Sequence, residues 1–211
     1  MNGADFLAKR KEGVSEKLIS SAKAEFIKKG YADASLRTIC EAAGTTTGSV
    51  YTRYGGKEGL FEEIVGKHYD KILSMFKAAQ SDFSALPETK QPENLGKISG
   101  DCLLEMLKYC YRNSDEVRLL LCGSEGTRFS GLIDEMVEIE TAATHDYMAV
   151  LERLGRPAVK IDRKLEHIII TGMFQTFFEM VIHEMPFEDA ENYLREMRTF
   201  YTAGWAAVMG Q

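Results

Sequence analysis

Apolar residues return every three or four positions along nearly the whole chain, and nowhere do they alternate with polar ones as in a half-buried strand. The spacing predicts nine helices and no sheet. The first covers 15–29, with Leu18, Ile19, Ala22 and Phe26 on one face and Gly30 closing it. Two short helices follow at 36–43 and 47–54. Each opens on a hydroxyl cap, Ser35 and Thr46, and stops at glycine, Gly44 and then Gly55 with Gly56. A fourth helix runs 57–81 and ends before a loop marked by Pro87 and Pro92. Helices at 93–112 and 115–122 come next, then a stretch at 123–131 broken by three glycines. The last three are 132–154, 162–183 and 188–208, separated by the Gly-Arg-Pro run at 155–157 and by Pro186.

The short pair carries the most information. Two helices joined by a three-residue turn that opens with glycine follow the helix-turn-helix plan, in which the second helix enters the major groove of DNA. Leu36, Ile39, Ala43 and Val50 are spaced to lock the two helices at a fixed angle, and Gly44 suits the left-handed turn between them. The second helix then presents short polar or basic groups, Thr47, Ser49, Thr52 and Arg53, with Thr45 and Thr46 just ahead of it among the expected contacts. Gly48 lets backbone approach the duplex, hydroxyls and helix N-terminal amides suit phosphate, and an arginine such as Arg53 pairs with guanine. Tyr51, Tyr54, Arg37 and Lys57 complete the expected DNA contacts, Lys57 from the start of the fourth helix, where an anion is favoured. The expected organisation is therefore all-α, with a DNA-binding domain at 1–58 and a larger helical domain at 59–211.

Charge fits this division. The chain of 211 residues has net charge −6, yet its first sixty residues hold ten basic and seven acidic groups. A mildly basic head on an acidic body suits a local contact with nucleic acid rather than a generally cationic protein.

As a string, the segment resembles the DNA-binding domain of the TetR family of bacterial regulators. The matching positions are Phe26, Gly30, Tyr31, Ser35, Ile39, Ala43, Gly44, Thr45, Thr46, Gly48, Val50, Tyr51, Tyr54, Lys57, Glu58, Leu60 and Phe61, within about residues 15–65. The departures are Cys40 for alanine, Thr45 for valine, Thr47 where a basic residue or proline is common, Arg53 where histidine or tyrosine is common, and Gly56 for a Ser/Asn cap. They leave the fold intact and bear on base preference. The resemblance implies phosphate contact by Tyr51 and Lys57. It also implies that the remainder is an effector-binding and dimerisation domain.

The residues of the second domain agree in kind. The 162–183 helix is apolar on more than one side, enough to face both a core and a partner. Leu165, Ile169 and Met180, with Tyr193, Met197, Tyr201 and Trp205 of the last helix, are the candidates for a two-fold homodimer interface. Met106, Tyr109, Cys110, Phe129, His145, Tyr147, Met148, Met173, Phe174 and Phe177 are candidates to line a site for a small apolar or aromatic ligand. The expected function is a repressor that binds double-stranded palindromic operator DNA as a homodimer and is released by such a ligand. The fourth helix, which joins both domains, is its natural lever.

Two alternatives stand beside this reading, a ligand-independent DNA-binding protein with an architectural or cell-cycle role, and a helical enzyme. The sequence holds no phosphate loop after a strand, no HExxH and no GxSxG. Cys40, Cys102, Cys110 and Cys122 form no CxxC pair, so neither a metal site nor a cofactor is expected. The first twenty residues are charged and lack the apolar core of a signal peptide, and no span of about 18 apolar residues occurs. The expected location is the cytoplasm, without a membrane contact.

Overall fold

The computed structural model describes the backbone of residues 3–157 and 159–210, and side chains from Val14 onward. Its described residues form ten α-helices and no strand: α1 (Gly3–Asp33), α2 (Leu36–Ala43), α3 (Thr47–Tyr54), α4 (Lys57–Ser84), α5 (Gln91–Asn94), α6 (Lys97–Arg112), α7 (Ser114–Cys122), α8 (Leu132–Arg153), α9 (Arg163–Ile182) and α10 (Phe187–Met209). The all-α expectation holds, and two details differ. The helix expected at 93–112 is two, because Leu95 is extended and Gly96 left-handed (φ 76°) between α5 and α6. A Cβ at Gly96 would also lie 2.6 Å from Thr202 Oγ1, so both shape and space favour glycine there. At Gly30 the backbone does leave helical geometry, but a further turn continues to Asp33.

The chain divides into two compact units. The first, the head, runs to Asp70 and also takes in Asp115–Ser130, so it reaches beyond the segment 1–58. Leu18, Ala22 and Phe26 of α1, Ile39 and Ala43 of α2, Val50 of α3, and Leu60 and Phe61 of α4 are buried together. Segment 115–130 closes this core. Phe129 is buried, with its ring 6.1 Å from Phe61 and 5.4 Å from Tyr69. The Tyr31 amide donates to Gly123 O at 2.7 Å, Lys23 pairs with Asp115 and Glu116 at 3.0 and 2.8 Å, and Arg128 pairs with Glu62 at 2.6 Å.

The second unit, the body, comprises Lys71–Ser114 and Gly131–Gln211. Here α8 packs along α9, and α6 packs against α9 and α10. Asp162 caps α9, accepting from the amides of Lys164 and Leu165 at 3.0 and 3.2 Å. At its other end the Tyr111 hydroxyl lies 2.6 Å from Met185 O and 3.1 Å from Met180 O. The sequence reading found no membrane span, yet α9 is long and apolar enough for one by length and composition alone, with mean hydropathy 1.3 over its window. Packing accounts for that composition. A helix with neighbours on several sides is apolar around most of its circumference, and Ile170, Phe174, Phe177 and Phe178 of α9 are fully buried within the body.

Candidate functional site

The helix pair in the head is held by local bonds that its sequence specifies. Ser35 Oγ accepts from the Thr38 amide at 3.3 Å and opens α2. Glu25 of α1 accepts from the Ser35 amide at 3.2 Å and from Lys29 Nζ at 2.7 Å, and the Lys29 ammonium holds the Glu25 carboxyl below the usual carboxylate range. Gly44 adopts φ 68°, ψ 36°, and the chain turns into α3, where Thr46 Oγ1 accepts from the Ser49 amide at 3.3 Å. Val50 is fully buried and fixes the rotation of α3 about its axis. That rotation leaves Thr47, Gly48, Tyr51, Thr52 and Arg53 exposed, Tyr51 at 61%. Arg37 is also exposed and pairs with Glu41 at 2.9 Å along α2. Thr45 and Ser49 are half-buried.

Two members of the expected set are engaged within the head. The Tyr54 hydroxyl is 3.0 Å from Ser15 Oγ, tying α3 to α1. Lys57 Nζ donates to three carbonyls, Tyr31 at 2.7 Å and Ala32 and Ala34 at 3.1 Å each, and stands 4.5 Å over the Tyr31 ring. An ammonium has three protons to donate, so all are committed to the end of α1. A phosphate contact by Lys57 would require one of these bonds to be released. Gly59 of α4 sits so close to α3 that a Cβ would lie 1.7 Å from Tyr54 O.

The body encloses a cavity of about 110 Å³ between α4, α6, α8, α9 and α10. Tyr147, Met173 and Phe174 of the expected ligand set line it. So do Met197, Tyr201 and Trp205, which the sequence reading put on the dimer interface. The remaining candidates lie elsewhere. Met106, Cys110 and Phe177 are fully buried core residues, and burial pushes the Cys110 thiol up to about 12. Tyr109 and Met148 are half-buried and outside the cavity wall. Phe129 belongs to the head. His145 Nε2 is 2.9 Å from Glu166 Oε2, a carboxylate only 1% exposed. Of the interface candidates, Leu165 and Tyr193 are exposed, Ile169 is half-buried and Met180 is buried. The most exposed apolar groups of α9 and α10 are Ile168 at 65% and Phe200 at 72%. The sequence reading missed the polar cavity residues Gln80, Glu140 and Arg198. Nothing in the local sequence around those three sets them apart from surface residues.

A capped helix pair displaying a short polar helix, in a chain whose other unit holds a cavity, is the helix-turn-helix arrangement of DNA-binding regulators. Residues 18–64 match the family profile described as bacterial regulatory proteins, tetR family. That match lies within the head and covers less than a quarter of the chain. Solved structures share the fold across nearly the whole length. A transcriptional regulator from Aquifex aeolicus VF5 matches at 21% identity, covering 89% of this chain and 99% of the other, with TM-score 0.51. Salmonella enterica GusR matches at 17% identity, covering 94% and 96%, with TM-score 0.52. The regulator CifR, solved with a 26 bp double-strand operator DNA, matches at 16% identity, covering 86% and 94%, with TM-score 0.53. No curated protein matches the chain in sequence.

Proposed function

We propose that this chain is a cytoplasmic repressor that binds a palindromic operator as a homodimer and leaves it when a small molecule fills the body cavity. The observation that carries the reading is the exposed face of α3, whose polar groups are presented by a buried Val50 and a Thr46 cap. Thr47, Ser49, Thr52 and Arg53 are the expected base-edge and phosphate contacts, with Tyr51 on the backbone. The exposed apolar residues Leu165, Ile168, Tyr193 and Phe200 of α9 and α10 supply the surface for a second copy. Two-fold pairing would set two α3 helices for major grooves about 34 Å apart. CifR's complex with operator DNA supports the DNA-binding half of the reading by likeness of fold.

Selection of duplexes from a random pool by the purified full chain tests it. The expected result is a two-fold symmetric consensus, and Arg53→Ala relaxes one position per half-site by about 1–3 kcal/mol. Sequence-independent binding by the wild-type chain would overturn the reading.

A further inference from the structure

Most of the cavity wall is apolar, with rings from Phe76, Phe83, Tyr147, Phe174 and Trp205, but two charged side chains enter it. They are differently provided for. Arg198 of α10 donates to Gly96 O at 3.3 Å and stands 3.9 Å from the Asp101 carboxylate. Glu140 of α8 has a single polar partner among the described residues, Gln80 Nε2 of α4, which donates to Oε2 at 2.6 Å. Gln80 is neutral, so no cation answers the Glu140 charge. The phenols of Tyr147 and Tyr201 share the cavity wall, and the Cys102 thiol of α6, which donates to Met75 O at 3.4 Å, is itself pushed up to about 11 by burial and then by Glu140.

A carboxylate in apolar surroundings with no cation is costly to ionise, and a cationic partner favours its charged form. Burial pushes the Glu140 carboxyl up to about 7 even though the Gln80 bond pulls the other way. The surrounding ring faces carry partial negative charge and favour a cation over a neutral or anionic group. The cavity volume is on the scale of one aromatic ring, and Met173, Met197 and Met209 in its wall can shift to admit a short arm.

Resting on the reading of this cavity as the effector site, we infer that it takes a small aromatic compound bearing an aliphatic amine, whose ammonium donates to Glu140 while its ring packs among those of the wall. Arg198, already bonded to Gly96 and facing Asp101, borders the ligand and does not set its charge.

The chain has a single tryptophan, Trp205, and it lines the cavity, so its fluorescence reports occupancy directly. The full-length protein is titrated with 2-phenylethylamine, 2-phenylethanol and phenylacetate. The amine is expected to bind at least about tenfold tighter than the alcohol, with phenylacetate weakest, and Glu140→Gln to erase the amine's advantage. Because the empty carboxyl titrates near 7, wild-type affinity for the amine rises about tenfold between about pH 6 and pH 8, while that for the alcohol stays level. This pH series decides the matter if the variant does not fold. Tightest binding of phenylacetate would overturn the proposal in favour of Arg198. Equal binding of all three would overturn it and leave the effector cavity standing. No response from Trp205 to any of them would overturn both.

Discussion

The head and the body put their functional residues together in opposite ways. In the head the caps and turns that shape the exposed helix lie between Ser35 and Gly59, and their bonds are short-range: Ser35 to Thr38, Thr46 to Ser49, Gly44 back to Cys40 and Glu41. In the body the cavity draws its wall from five stretches, around 76–83, 95–103, 140–147, 173–174 and 197–209. A surface meant to be read by another molecule can be made by one well-capped segment. An interior space exists only where several helices leave it, and no single helix records it.

If the head is fixed by such close local fits, its largest vulnerability is Gly59. Gly59→Ala puts a Cβ against Tyr54 O and should cost more than about 3 kcal/mol, seen as a steep fall in Tm with loss of operator binding. A variant of wild-type stability would break the comparison on the head's side.

On the body's side the test is Glu140. Its folded carboxyl titrates at about 7 against an ordinary 4.5. As pH rises from about 4.5 to 7, the unfolded chain therefore releases a proton that the folded chain keeps, and stability falls by up to roughly 3 kcal/mol. Glu140→Gln should lack this fall. Urea unfolding should show its advantage over wild type to be larger at about pH 8 than at about pH 5. An equal difference at both would mean the carboxyl is not confined as described.

Smaller effects sharpen the head further. Lys57→Ala frees three carbonyls at the end of α1 and should cost about 2 kcal/mol of stability. It should leave the salt dependence of DNA binding unchanged, since a side chain that releases no counterion adds nothing to that slope. A shallower slope would return Lys57 to the phosphate-contacting set. Thr46→Ala, which removes only the cap of α3, should lower stability by about 1 kcal/mol in thermal unfolding.

The same contrast explains what could be read from the residues in order. The helix pair was legible to its ends because Ser35, Gly44, Thr46 and Gly55 are punctuation whose meaning is local. The break at Gly96 was not, since its cause includes Thr202, more than a hundred positions away. The engagement of Lys57 escaped for a similar reason, because its acceptors lie at and just past the end of α1, more than twenty positions away. In the body, Met106 and Phe177 carry the same apolar signal as Met173 and Phe174, yet only the latter pair faces the cavity. Residue type says that a side chain leaves water and does not say whether it meets protein or a gap. Glu140 looked like one more solvated charge on an amphipathic helix, and only the fold around it makes it unusual.

The membership of segment 115–130 in the head bears on how this protein can be taken apart. A fragment cut at Asp70 would be missing Phe129, leaving Phe61 and Tyr69 with a raw greasy flank and Lys23 and Glu62 without their counter-ions. Such a piece is a poor stand-in for the DNA reader. A hybrid built by grafting these first residues onto a foreign sensor inherits the same wound, unless the later stretch travels with them.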